Sequence, residues 1–165
     1  MHGSADAADA LVERGVHRRS LWLAAASGEL DLVRRWVSEQ GELLAPPGHR
    51  PNWADVGRPE GEPPTGDPAE IIGEAFVFAA ANGRRDVADY LLDAGADIDA
   101  RPYRNTTALH FAIQFRKLEM VRHLLERGAS TTIEDDQYHS DVRGWAVACD
   151  KGTDPSSTIR SLLDT

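Results

Sequence analysis

Phe76-Val77-Phe78-Ala79-Ala80-Ala81-Asn82-Gly83-Arg84-Arg85-Asp86-Val87-Ala88-Asp89-Tyr90-Leu91-Leu92-Asp93-Ala94-Gly95-Ala96 aligns without a gap on Leu109 to Ala129, so that Ala79 and Ala112 stand 33 positions apart. Both stretches read as two short amphipathic helices closed by a glycine. A period of this size marks a repeat architecture, in which one unit cannot bury its apolar face alone and its neighbours complete the core. An earlier copy runs from Leu21-Trp22-Leu23-Ala24-Ala25-Ala26-Ser27-Gly28 through Leu30, Leu32 and Val33 to Val37, with Ala24 lying 55 positions before Ala79. A fourth, weaker copy is Trp145-Ala146-Val147-Ala148-Cys149-Asp150-Lys151-Gly152, followed by Ile159, Leu162 and Leu163. It places Ala148 36 positions after Ala112, with Asp154-Pro155 lengthening its interhelical turn.

The repeated positions have physical reasons. Ala24, Ala79, Ala112 and Ala148 share one position, where a small side chain lets adjacent first helices approach closely. Leu21, Phe76, Leu109 and Trp145 lie three residues earlier on the same helical face and supply apolar area between units. Gly95 and Gly128 end second helices where a left-handed residue costs least. The pattern predicts an all-α chain with helix pairs near 20–26 and 30–38, 74–81 and 86–93, 107–114 and 119–126, and 142–149 and 157–163. Between the first two pairs, residues 41–69 hold seven prolines and five glycines, too many for a helix or central strand, and are expected to form a loop that is either a flexible linker or a folded functional element, with an order-supporting patch at His49 to Val56.

Composition limits the function. Of 165 residues, 18 are Lys or Arg and 27 are Asp or Glu, a net charge of −9. Neither half is basic, so nucleic acid and anionic membranes are not expected partners. Cys149 is the single cysteine, which forms no internal disulfide and builds no Cys-based metal site. With an acidic N-terminus and no run near the roughly 18 apolar residues of a membrane span, a cytoplasmic, monomeric protein is expected. The Ala-, Arg- and Asp-rich composition suggests a bacterial source.

Thr107-Ala108-Leu109-His110-Phe111-Ala112 resembles the ankyrin motif Thr-Pro-Leu-His-x-Ala, with Ala108 in place of the proline. The Leu-Leu-x-x-Gly-Ala segments at Leu91 to Ala96 and Leu124 to Ala129 resemble the close of an ankyrin repeat, and Asp97-Ile98-Asp99-Ala100 resembles the start of the chain that leads on to the next repeat. The resemblance covers roughly residues 16–40 and 70–165. It implies one ankyrin-repeat solenoid over 1–165, built from helix-turn-helix units with short hairpin-like turns. Repeats are expected near 16–40, 70–101, 102–134 and 138–165, with 41–69 as a long insertion. For His110 it implies a structural hydrogen bond to backbone near the hairpin turn. It also implies a protein partner on the concave face, made of the turn tips (Glu70, Ile71, Tyr103, Arg104, Thr106, His139, Ser140, Val142) and the first-helix edges (Ala81, Asn82, Gln114, Phe115, Asp150, Lys151). Within that face Tyr103, Arg104, Thr106, Gln114, Phe115 and Arg116 are the expected partner-binding residues, because aromatics and arginine supply large desolvated contacts. Arg116 stands where Gly28 and Gly83 stand in other copies. Its turn is therefore expected to differ and to bring Arg116-Lys117 beside Arg84-Arg85, a basic patch suited to an acidic partner.

Catalytic templates are missing: there is no Gly-x-Ser-x-Gly elbow, phosphate loop or dinucleotide fingerprint, and none of the six histidines makes a His-x₃-His pair. No cofactor, no metal and no catalytic residue are expected. Two other functions stay open. A small-molecule site or unusual enzyme would place its pocket between the first repeat and the insertion, with His49, Trp53, Asp55, Glu70 and Glu74 around it. An immunity-type inhibitor would use the net −9 surface against a basic toxin.

Overall fold

Asp67 and Asp141 each begin a helix, their carboxylates accepting first-turn N–H groups. The computed structural model describes residues 20–48, 66–149 and 156–164. Among them the helices are α1 (Leu21–Ser27), α2 (Leu30–Val33), α3 (Pro68–Ala81), α4 (Arg85–Asp93), α5 (Ala108–Gln114), α6 (Leu118–Glu126), α7 (Val142–Ala148) and α8 (Ser156–Leu163), and no strand is present. They pair as α1/α2, α3/α4, α5/α6 and α7/α8. The first helices stack in the order α1, α3, α5, α7, while α2 packs on α4 and α6 on α8. This is the expected all-α stack.

Its core lies between successive first helices. Leu21, Ala24, Phe76, Ala79, Leu109 and Ala112 are all buried, as their shared positions require. Polar groups also cross from unit to unit. Tyr90 donates its hydroxyl to the Val37 carbonyl at 2.7 Å. His123, 33 positions after Tyr90, reaches Asp89 at 2.7 Å, and Arg127 holds Asp93 at 2.7 Å. One second-helix position thus sends a polar ring back to the preceding unit in two consecutive repeats.

Four expectations need correction. First, α3 starts at Pro68 and not near residue 74. The Asp67 carboxylate accepts the Ala69 N–H at 3.0 Å, and Pro68 occupies the first turn, where its missing N–H is no loss. Second, the helix expected over 30–38 stops at Val33, because the chain reverses: Ser38 N–H donates to Glu42 O at 2.9 Å and Leu44 N–H to Trp36 O at 2.8 Å. Gly41 is required at this reversal, since its φ is +76° and a Cβ would lie 2.2 Å from the Ala94 carbonyl oxygen. Third, residues 41–48 are not a free linker. Leu21 N–H donates to Pro47 O at 2.8 Å, Ser20 pairs with Gly48, and the Trp36 indole donates to Pro46 O at 3.1 Å. Proline lacks a donor but keeps its carbonyl, and here two consecutive proline carbonyls fasten the segment to the first repeat.

The fourth correction concerns register. Thr107 precedes α5 and Asp141 precedes α7 as N-caps, so Ala112 corresponds to Ala146 and not to Ala148. Ala146 is 1% exposed, whereas Ala148 lies on the exposed side.

Candidate functional site

The third repeat opens with a hairpin tip. Tyr103 and Thr106 form a bridge, with Thr106 N–H donating to Tyr103 O at 2.8 Å. Between them Arg104 and Asn105 have φ of +45° and +58°, left-handed at both central positions as in a primed hairpin turn. Tyr103 and Thr106 are buried and serve the turn. Arg104 donates to Gln137 Oε1 at 2.8 Å, and its guanidinium lies 5.4 Å from the Tyr103 ring centroid. Its carbonyl accepts Asp136 N–H at 2.9 Å, while Asn105 Nδ2 donates to Glu134 O at 2.5 Å. The tip is strapped to the segment that precedes α7.

The opposite end of α5 carries the second group. Gln114 is exposed, and Phe115 is half-buried with its ring stacked on Phe111, centroids 6.3 Å apart and planes 9° from parallel. Arg116 has φ +56° and makes the same turn as glycine does elsewhere. Its N–H donates to Ile113 O at 3.0 Å as Gly83 N–H donates to Ala80 O at 3.0 Å, and the next N–H pairs likewise, Lys117 to Ala112 O at 2.8 Å and Arg84 to Ala79 O at 2.9 Å. The expectation that this turn differs is overturned: stack geometry imposes one backbone, and arginine adopts it. A left-handed conformation costs a residue with a Cβ roughly 1–2 kcal/mol, partly offset by glycine's freer unfolded chain. Arg116→Gly should therefore raise stability by about 1 kcal/mol in chemical denaturation.

The six expected binding residues thus fall into two groups, Tyr103, Arg104 and Thr106 at the tip and Gln114, Phe115 and Arg116 at the turn. By helix rise roughly 10 Å of α5 separates them. The basic patch is also rearranged. Arg84 donates from Nε to Ala26 O at 2.9 Å across the repeat boundary, and Arg85 pairs with Asp89 at 3.6 Å. The Arg84 stem lies against Gly28, and the Lys117 stem lies against Gly83 in the same manner. Each cation sits at the C-terminal end of the preceding first helix, where the helix dipole favours positive charge.

Other assignments shift. Ile71 and Val142, expected at tips, are helical core residues, and Glu70 lies half-buried in the first turn of α3. Ala81 and Asn82 are buried, with Asn82 Nδ2 donating to Phe78 O at 2.8 Å. His139 is exposed with φ +49°. Of the alternative pocket, His49, Trp53 and Asp55 lie outside the described residues, as do Asp150 and Lys151. Glu74 is fully buried and accepts the Trp22 indole N–H at 3.0 Å, tying α3 to α1.

Sequence reasoning missed Asp135. This carboxylate is 1% exposed and accepts N–H groups from Gln137 and Tyr138, both at 2.8 Å, from Ser140 at 3.3 Å and from the Trp145 indole at 2.7 Å. Burial pushes its pKa up, but the Trp145 bond and the backbone donors outweigh burial and hold it below the usual carboxylate value. Trp145 meets His110 edge-on at 5.2 Å, and Tyr138 covers it at 5.7 Å. His110 Nδ1 accepts the Thr107 N–H at 3.3 Å, which assigns the proton to Nε2 on the side of the Ile133 and Ser140 backbone. Burial pushes its pKa down, with the Ser140 backbone, Asp135, Asp141 and the Ile133 backbone opposing. The expected structural role of His110 fits this setting, between the tip of one repeat and the first helix of the next.

The family model described as ankyrin repeats, in three copies, matches residues 21–135. The chain belongs to the ankyrin-repeat family. An L-asparaginase of Dirofilaria immitis is 35% identical over 65 residues, 39% of this chain and 11% of that protein. Ankyrin repeat, SAM and basic leucine zipper domain-containing protein 1 is 33% identical over 70 residues in Ovis aries and 36% identical over 70 residues in Echinops telfairi, 42% of this chain and 15% of those proteins in both cases. The chain therefore spans only 11–15% of the length of these relatives. All three are animal proteins and lend no support to the expected bacterial source. No helix among the described residues is long and apolar enough to cross a membrane.

Proposed function

We propose that this ankyrin stack is a protein-binding module whose contact surface centres on the third repeat, at Gln114, Phe115 and Arg116, with Arg104 at the edge. Ankyrin repeats are generally protein–protein interaction modules. The observation that carries the local assignment is an asymmetry along one row of repeat positions. Ala26 and Ala81 are buried, whereas Gln114 and Ala148, at the same position, are exposed, and of these two Gln114 lies beside a half-buried aromatic pair. An aromatic stack held at a helix end offers large contact area with little rotamer entropy left to lose. The single cysteine supports a reducing cytoplasmic setting. Glu74 is engaged by Trp22, which gives it a structural role and draws it away from the small-molecule or enzyme reading. The inhibitor reading draws on net charge alone.

The test uses the full chain as bait, with binding of the captured partner then measured by calorimetry. Combined Gln114→Ala, Phe115→Ala and Arg116→Ala should weaken binding by ~2 kcal/mol or more while leaving the helical circular dichroism signal intact. Deleting residues 49–65 should leave affinity nearly unchanged. A partner lost only on that deletion moves the site to the insertion.

A further inference from the structure

We propose that an acid-sensitive latch joins the third and fourth repeats: protonation of the buried His110 imidazole releases the 133–140 loop and α7 from α5. His110 is 0% exposed and lies on α5 at the seam with the fourth repeat, where Trp145 of α7 meets it edge-on. It is also half of a capping box. Its Nδ1 accepts the Thr107 N–H at 3.3 Å, while the Thr107 hydroxyl oxygen, 2.9 Å from the same nitrogen, accepts the His110 N–H. Nε2 carries the proton toward the backbone of Ile133 and Ser140. One ring nitrogen is thus committed to the start of α5 and the other to the loop that leads into α7, and only the neutral ring satisfies both.

A second proton has to sit on Nδ1, which faces a donor. The Thr107 N–H then loses its acceptor at a residue that is itself 0% exposed, and a charge enters a site closed to water. The charged groups that bear on the ring are Asp135 in the loop and Asp141 at the start of α7; among the described residues α3 and α6 add none. Both carboxylates favour the imidazolium, yet both are engaged elsewhere. Asp135 accepts four N–H groups, and Asp141 is turned to α7, whose Arg143 and Gly144 N–H groups it accepts at 3.0 Å. Burial therefore outweighs them and pushes the His110 pKa down from its ordinary 6.5. The opened state takes a proton that the closed state excludes, so the latch holds fully above that value and weakens as pH falls through it toward the folded pKa. This loss sets in at higher pH than any loss at a carboxylate, whose ordinary value lies near 4.

The test is amide hydrogen exchange of the full chain, followed by NMR at about pH 7.5 and about pH 5.5, both above the carboxylate range, with rates corrected for intrinsic chemistry. A repeat that has left its neighbour does not hold its helices alone, so release is read as exchange. An ordinary imidazole is about nine-tenths protonated at the lower pH. Protection of the α7 amides and of the Trp145 indole N–H should therefore fall by up to roughly tenfold there, while the α3 amides keep theirs. His110→Gln should hold α7 protection equal at the two pH values, since an amide accepts from Thr107 and donates to the loop without titrating. His139→Gln, at the exposed histidine of the same loop, should keep the wild-type fall. Should His110→Gln fail to fold, the ring resonances of wild-type His110 decide: a proton taken up in step with the loss of α7 protection supports the latch, and one taken up with protection unchanged overturns it. Equal protection at both pH values overturns it too, as does a fall that persists in His110→Gln, vanishes in His139→Gln or is shared equally by α3.

Discussion

Asp135→Ala is expected to be among the most damaging single substitutions in the chain, lowering stability by roughly 3 kcal/mol in chemical denaturation. The carboxylate accepts four N–H groups in a site closed to water, so its removal leaves the Trp145 indole and a loop of backbone donors unsatisfied together. The loss spreads, because Trp145 is the ring against which His110 and Tyr138 pack. Near-UV circular dichroism should weaken along with stability. Asp135→Asn should recover part of the loss, since an amide oxygen still accepts while its NH₂ faces donors. The pH dependence comes from the depressed pKa. A carboxylate whose folded pKa lies below its unfolded value, near 4, contributes fully above that value and loses its contribution as pH falls through it toward the folded pKa. The wild-type chain should therefore lose part of its stability below about pH 4, and Asp135→Ala should show a smaller loss over that range. A variant as stable as wild type at neutral pH would show that the loop, and not its carboxylate, holds the fourth repeat in place.

The fold was legible because its signal is a period. Two 21-residue segments related by a shift of 33 carry the helix pair, the small packing residue and the terminal glycine at once, and no local irregularity erases such a coincidence. Where the period weakens, so does the reading. In the fourth copy Ala146 and Ala148 both suit the packing position, and the small-residue pattern does not separate them. The N-cap at Asp141 does, and it lies before the apolar run. At α3, Asp67-Pro68 was a legible helix start, masked by the prolines around it. The strap at residues 41–48 was not legible, because it depends on carbonyls meeting the N-terminal end of α1 from far along the chain.

The candidate site divides in the same way. That Gln114 and Phe115 end a first helix could be read from the repeat position, although Ala81 and Asn82 at the same positions are buried. The turn at Arg116 could not, since local propensity argues against a left-handed arginine while the helices on both sides leave it no alternative. Asp135 had no sequence signal of its own: its donors lie two, three, five and ten residues ahead in irregular backbone, and only the folded loop turns them inward.

Ala112→Leu should cost ~1–3 kcal/mol or more, while Glu126→Ala should change stability by less than about 0.5 kcal/mol. Ala112 is 0% exposed on the middle helix of the stack, with α3 on one side and α7 on the other. Leucine adds three carbons at a position without exposed surface, so α5 is expected to move away from one neighbour or the other. In a solenoid the interfaces between neighbours carry the stability, and forcing one of them apart uncouples the units on its two sides. Glu126 is exposed at the end of α6 and tests the same repeat without touching an interface. Unfolding followed separately by Trp22 and Trp145 should show the consequence. In the wild-type chain the two tryptophans report one transition, and in Ala112→Leu the Trp145 transition should come first, since the fourth repeat leans on α5 while the first repeat keeps α3. Coincident and unshifted transitions in the variant would mean that α5 does not pass close against both neighbours at Ala112.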